Sequence, residues 1–269
     1  MPVRVIAAAL AAVAAGLVVG AGTAPAGDPG TRLGAAAAGQ QAPSWKPGMR
    51  AARDYADGRL GEIAIAVVDP RGRLHTDNAY STAPMASTFK VMLMVAYLRK
   101  ARERELNSYD RSLLRAMIRR SDNDAATRIR DMLGREPIEE LADDARMRGF
   151  QWHSIWGSCR TTARDQAFFL RRLRRYVPNR HWDFARKQLA SIVERQRWGV
   201  GRVGLHGWKL YFKGGWGSGS GAVDHQVALL ERGDDRIGLA ILTENNPSHA
   251  YGKETLEGVA RRLLRNLPR

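Results

Sequence analysis

The segment Thr88–Arg102 carries apolar residues on almost every side of a helical projection, which marks a helix buried all round rather than one lying on a surface. Before it, Gly61 to Val68 alternates and stops at the turn signal Asp69-Pro70, so it reads as a strand with Arg73–Thr76 returning as its hairpin partner. After it, helical periodicity runs through Tyr109–Arg119, Asn123–Leu133, Pro137–Met147, Ala163–Tyr176 and Trp182–Arg195. Strand patterns come back at Trp208–Lys213, Asp224–Glu231 and Arg236–Thr243, with Asp234-Asp235 marking the tight turn between the last two. A final helix starts near Pro247 and ends near Leu267, and its stripe of Leu256, Val259, Leu263 and Leu267 faces a sheet. Strands from both ends and helices from the middle predict an α+β fold: an antiparallel sheet built from N- and C-terminal strands, packed against helices, with an inserted all-helical lobe. The expected division is a sheet lobe at 45–86 and 200–269 and a helical lobe at 87–199.

Composition narrows the class. The chain has 269 residues, 44% of them hydrophobic, which suffices for one large domain and excludes a disordered polymer. The formal net charge of +16 comes mostly from arginine. The basic residues lie along helical faces, as in Arg171-Arg172-Leu173-Arg174-Arg175, with no aromatic-interleaved recognition motif. That pattern favours solvated surfaces and attraction to an anionic cell envelope over nucleic acid. Met1 to Arg4 is a short positive region, Val5 to Gly20 an apolar run, and Ala24-Pro25-Ala26 a small-residue cleavage site. Together they predict a secretory signal peptide at 1–26, a flexible linker at 27–44 and a secreted domain at 45–269, an uncleaved anchor being the other reading. Cys159 stands alone, so no internal disulfide forms; Gly157-Ser158-Cys159-Arg160 fits no thiol-enzyme signature and reads as a buried inert thiol. The histidines lack metal-ligand spacing, no cofactor is implied, and a monomer is the default.

The chemistry centres on the head of the apolar helix. Ser87 and Lys90 stand at i and i+3, close enough on a helix for an amine to reach a hydroxyl. Helix N-terminal N–H groups favour a serine oxyanion, and an apolar surround disfavours charged lysine. A neutral Lys90 can then take the proton of Ser87. Taken alone, the pair favours the plainer reading of a capping serine and a lysine that snorkels to water. Two further segments change that. Ser121-Asp122-Asn123 lies between amphipathic helices, and Lys213-Gly214-Gly215 ends a strand.

The ordered set Ser87-Thr88-Phe89-Lys90, Ser121-Asp122-Asn123 and Lys213-Gly214-Gly215 resembles the S-x-x-K, S-D-N and K-T-G motifs of class A β-lactamases and penicillin-binding proteins. Thr161-Thr162-Ala163 is similar to the Thr-Thr-Pro entry of a late helix in class A enzymes, and the resemblance spans roughly Leu60 to Leu267. It implies Ser87 as acylated nucleophile, Lys90 as its base and Ser121 as proton relay. It also implies Asn123 as holder of the substrate amide and Lys213 as the cation that supports relay serine or substrate carboxylate. Gly214, Gly215 and Trp216 would line the substrate strand, with the backbone N–H groups of Ser87 and Trp216 as oxyanion donors. The implied substrates are β-lactams or peptidoglycan-type D-alanyl peptides.

Two departures qualify the resemblance. Class A enzymes carry a deacylating glutamate in an E-x-x-L-N loop after S-D-N, but Gly149 to Arg160 contains no acid here. The literal Glu103-Arg104-Glu105-Leu106-Asn107 precedes Ser121 and reads as a decoy. Slow deacylation is therefore the expectation. Gly214 replaces a hydroxyl residue that helps hold a substrate carboxylate, with Ser218, Ser220 or His225 as candidate substitutes. Trp152 and Trp156 read as core packing or as a substrate groove, and Gly199-Val200-Gly201-Arg202-Val203-Gly204 as a loop because it follows a helix. A cell-wall peptidase or esterase of the same fold, and a non-catalytic binding protein retaining the motifs, remain as alternatives.

Overall fold

The computed structural model describes residues 45–217 and 222–268. The expected signal segment and linker, and Ser218 and Ser220, lie outside them. Helix α1 (Met49–Asp57) precedes strands β1 (Glu62–Val68), β2 (Leu74–Asp77) and β3 (Thr82–Pro84). Helices α2 (Phe89–Lys100), α3 (Ser108–Arg119), α4 (Asn123–Leu133) and α5 (Glu136–Asp144) follow. Then come β4 (Arg160–Thr162), α6 (Ala163–Arg171), α7 (Leu173–Tyr176) and α8 (Trp182–Ala190). The chain closes with β5 (Lys209–Gly217), β6 (Val223–Arg232), β7 (Asp235–Glu244) and α9 (His249–Leu263).

The main sheet is five-stranded and antiparallel in the order β2-β1-β7-β6-β5. The N-terminal hairpin therefore docks on the last strand of the chain, as the α+β reading requires. Helices α1 and α9 pack together, α9 on β6 and β7, and α6 packs on β7, β1 and β6. Layers on both faces explain why β6 is buried from Val223 to Leu230 instead of alternating. β5 is an edge strand, with one side of its backbone unpaired by the sheet.

Helix α2 is the axis of the helical part. Every residue from Phe89 to Leu98 is buried, and α3, α4 and α5 surround it. The flanking helices start on capping side chains. Asn107 accepts from the Asp110 N–H while Asp110 returns a bond to the Asn107 N–H, and Asp122 accepts from the Ala125 N–H. Asn107 thus belongs to a helix cap, which accounts for the misplaced E-x-x-L-N match.

Several expectations need correction. Helix α1 is short and rich in charge, so only Ala52 and Ala56 betray its buried side. The expected helix Ala163–Tyr176 is broken at Arg172 into α6 and α7, and the one reaching Arg195 stops at Ala190. β5 does not end at Lys213 but runs on to Gly217. Nor is 87–199 wholly a separate helical lobe. It contributes β4, which pairs with β3, and α6 lies on the sheet. The approach of α6 is close: a Cβ at Gly238 would overlap the Ala167 carbonyl oxygen. Gly238→Ala is expected to lower stability by about 1–3 kcal/mol through overpacking, read as a lower urea midpoint with an unchanged m value.

Candidate active site

Ser87 is positioned by a short frame that joins both parts of the fold. β3 ends at Pro84, and a 3₁₀ turn at Ala86–Thr88 leads into α2. The Met85 N–H donates to the Cys159 carbonyl at 2.7 Å, and the Thr88 hydroxyl donates to the Met85 carbonyl at 2.6 Å. Ser87 therefore sits in the turn before α2, and the helix proper begins at Phe89. Ala86 has φ 46°, a conformation that costs a non-glycine residue on the order of 1–3 kcal/mol and persists only where neighbours enforce it. His225 is one enforcer. Its Nε2–H donates to the Pro84 carbonyl at 2.7 Å, and its Nδ1 accepts from the Thr243 N–H at 3.0 Å. Burial pushes its pKa down to about 4, so the ring stays neutral. With both nitrogens occupied, His225 is unavailable to a substrate carboxylate, contrary to the expectation that it substitutes for the missing hydroxyl.

Lys90 is fully buried. Its Nζ lies 2.9 Å from Ser87 Oγ, 2.7 Å from the Ser121 carbonyl, 2.7 Å from Asn123 Oδ1 and 3.1 Å from Ser121 Oγ. Desolvation lowers its pKa to about 7, against a smaller opposing pull from the Asp122 charge. The geometry suits the neutral amine. It keeps two N–H bonds, and the two closest oxygens, the carbonyl and the amide Oδ1, can only accept. The lone pair is left for the hydroxyl hydrogen of Ser87.

Ser121 is held with φ 57°, which turns both its carbonyl and its Oγ towards Lys90. The same Oγ accepts from Lys213 Nζ at 3.0 Å, and Lys213 also donates to the Gly214 carbonyl at 2.6 Å. Lys213 is buried, and its pKa falls well below the usual lysine value through desolvation and then the Lys90 charge. Ser87, Lys90, Ser121, Asn123 and Lys213 are thus joined in one hydrogen-bonded chain. Their elements come from separated parts of the sequence, and each spacing alone carries little information.

The glycines admit β5 to this cluster. A Cβ at Gly215 would lie 2.9 Å from the backbone nitrogens of both Ser87 and Thr88. Only a bare backbone leaves room before the amides at the head of α2. At Gly214 a Cβ would lie 2.8 Å from the Trp198 ring. The hydroxyl side chain expected at that position is excluded by an indole that the sequence did not reveal. Trp198 is fixed by Gln226, which donates to the Trp198 carbonyl at 2.6 Å and accepts from the Val200 N–H at 2.7 Å. The G-x-G-x-x-G loop is the segment so clamped, with Gly199 at φ 57°. Trp216, 36% exposed, meets Trp198 edge to face and stacks with His249.

The acid-free loop does not leave a gap over Lys90. The Trp156 ring centroid lies 4.8 Å from Lys90 Nζ, and its Nε1–H donates to Thr127 Oγ1 at 3.2 Å. Trp156 therefore belongs to the site, while Trp152 packs edge-on to Phe89 of the core. Cys159 is buried with its pKa raised to about 11 by desolvation, in keeping with an inert thiol. Among the described residues no group of His, Cys, Asp and Glu is arranged to hold a metal ion.

The buried His225 has a measurable consequence. Its folded pKa of about 4 lies below the ordinary 6.5. The unfolded chain therefore binds the proton first, and stability falls as pH drops from 6.5 towards 4. Wild-type protein is expected to lose about 3 kcal/mol over that interval from this group, a loss absent in His225→Gln, as read from urea midpoints at the two pH values.

A family model described as the β-lactamase enzyme family matches residues 110–267. No curated protein matches the chain. Among solved structures, a β-lactamase from Sphaerobacter thermophilus superposes with a TM-score of 0.71 at 21% identity, covering 82% of this chain and 97% of that one. A class A β-lactamase from Mycobacterium abscessus gives 0.69 at 19% identity, with 81% and 98% covered. An ancestral class A β-lactamase gives 0.70 at 16% identity, with 81% and 99% covered. At such identities the superpositions speak for the fold, and the family match covers more than half of the sequence: the chain belongs to the β-lactamase enzyme family and has the class A β-lactamase fold.

Proposed function

We propose that the chain is an exported serine hydrolase that forms an acyl-enzyme on Ser87 with β-lactams or D-alanyl-type amides and releases it slowly. One observation carries the reading: a buried amine whose nitrogen lies 2.9 Å from the Ser87 hydroxyl oxygen. In the proposed sequence Ser87 Oγ bonds to the carbonyl carbon and its proton passes to Lys90 Nζ. The carbonyl oxygen takes the negative charge beside the Ser87 and Trp216 N–H groups. The C–N bond then breaks, and the departing nitrogen takes a proton from Ser121 Oγ, which is resupplied by the lysines on either side of it. Asn123 keeps its Nδ2 for the substrate, since its Oδ1 is turned to Lys90.

Slow release follows from what surrounds the acylated serine. Hydrolysis needs a base to activate water, and the family motif supplies a glutamate for it. Here Gly149 to Arg160 holds no acid and the Trp156 ring covers Lys90. An indole accepts no proton from water. Export is supported by the signal-like segment at 1–26, and attraction to an anionic envelope by the net charge of +16.

Intact-mass spectrometry with benzylpenicillin tests the reading. A single adduct is expected on the wild-type chain, persisting long after free ligand is removed, and none on Ser87→Ala. Lys90→Ala is expected to slow adduct formation by about 10²–10⁴-fold, the usual worth of a general base. An adduct that survives Ser87→Ala counts against the mechanism, and hydrolysis of peptide or ester substrates without any β-lactam adduct would favour a peptidase or esterase.

The pH dependence is a second check. The active form of Lys90 is the neutral amine, so the acylation rate should climb as pH rises through about 7 and then level off. A rise centred near pH 10 would mean an ordinary exposed lysine.

A further inference from the structure

The end of the cleft beyond Lys213 has its own chemistry. Cross-strand pairs in an antiparallel sheet point to the same face. Gly215 is opposite His225, and this pair faces Pro84 and Ser87. Gly214 is opposite Gln226 and Trp216 opposite Asp224, so they face the Trp198 loop and the start of α9. On that face Trp198, Trp216 and His249 pack together with ring centroids 5.7–6.1 Å apart. His249 Nδ1–H donates to the buried carboxylate of Asp224 at 2.5 Å, which fixes the imidazole against Trp216. Next to this wall is a cavity of about 330 Å³ lined by Trp216, Gly217, Val223, Asp224, Asn246 and His249 among others, with no lysine or arginine among its described lining residues.

The leaving group of an acyl donor must reach this end. Its departing atom takes a proton from Ser121 Oγ, and Lys213 ties that oxygen to the carbonyl of Gly214. The Trp216 ring centroid is 5.9 Å from Lys213 Nζ, so a group attached to the departing atom comes within reach of the aromatic wall. A carboxylate there finds no hydroxyl, because Trp198 occupies the space over Gly214. It finds no free cation on Lys213, which is buried and committed to Ser121 and Gly214. It faces the rings of Trp216 and Trp198 and an Asp224 carboxylate already paired with His249, with Lys253 acting on that carboxylate from nearby. Placing an anion beside apolar surface without a partner is costly, while an uncharged flat group gains contact with Trp216.

We propose that this subsite selects acyl donors whose leaving-group side carries an uncharged, preferably aromatic substituent in place of a carboxylate. This rests on the acyl-enzyme reading above. Trp216 is the accessible face of the subsite, Trp198 backs it, and the Asp224–His249 pair keeps it in place.

Matched probes test it: benzylpenicillin, its methyl ester and its benzyl ester. The rate of adduct formation on Ser87 is measured for each by intact mass and divided by that probe's own hydroxide-catalysed hydrolysis rate. The benzyl ester is expected to acylate about tenfold faster than the free acid or more, with the methyl ester between them. In Trp216→Ala the advantage of benzyl over methyl should shrink towards one. A free acid that reacts as fast as the esters, or faster, overturns the proposal from wild-type data alone. A benzyl preference undiminished in folded Trp216→Ala overturns the assignment to this wall. No adduct with any of the three probes defeats the acyl-enzyme reading itself, and the subsite with it.

Discussion

The site depends on loosening one lysine's hold on its proton. Lys90 lies inside the protein at the start of a helix apolar on every side, where a positive charge has lost its water. Acceptor oxygens of Ser121 and Asn123 hold its nitrogen without supplying a carboxylate at contact distance. Pairing with an acid would have restored the charge and used up the lone pair. The burial of α2 is thus as much a part of the chemistry as of the core, because the apolar residues that pack the domain also set the basicity of the amine.

Around this centre the backbone is held in conformations it would not choose. Ala86 and Ser121 both have positive φ, on either side of Lys90. Their neighbours over-determine them: His225 and Cys159 fix the chain before Ser87, and the two lysines fix Ser121. Strain gathered at such a cluster is what pre-organisation requires, since the groups need not reorganise when a substrate arrives. The sheet takes part directly. His225 reaches from β6 to the strand before Ser87, and Gly215 lets β5 run against the head of α2.

Two tryptophans set this site apart from the motif it resembles. Trp156 lies over Lys90 from a loop with no acid, and Trp198 lies over Gly214 where a hydroxyl was expected. Both bring an aromatic face into a cluster of otherwise polar groups, one beside Lys90 and one beside Gly214. Each is secured by its own bond, from Trp156 to Thr127 and from Gln226 to the Trp198 loop. They are built parts of the cleft rather than incidental neighbours.

The sequence by itself did not show α1, β3 or β4, but it determined the five strands of the main sheet, most of the helices, the α+β class, the buried helix and the motif residues Ser87, Lys90, Ser121, Asn123 and Lys213. These are properties of local periodicity and of residue type in a recognisable order, which need no knowledge of distant neighbours. Only the tertiary structure decided that Lys90 and Lys213 share one serine, that Gly214 lies beneath Trp198, that Trp156 covers Lys90 and that His225 serves the backbone rather than a ligand. It also decided that α6 lies on the sheet and that β5 runs past Lys213. The reason is range: each of these depends on contacts between segments far apart in the chain, and neither hydrophobic period nor spacing encodes which side chain a folded neighbour brings into the same space.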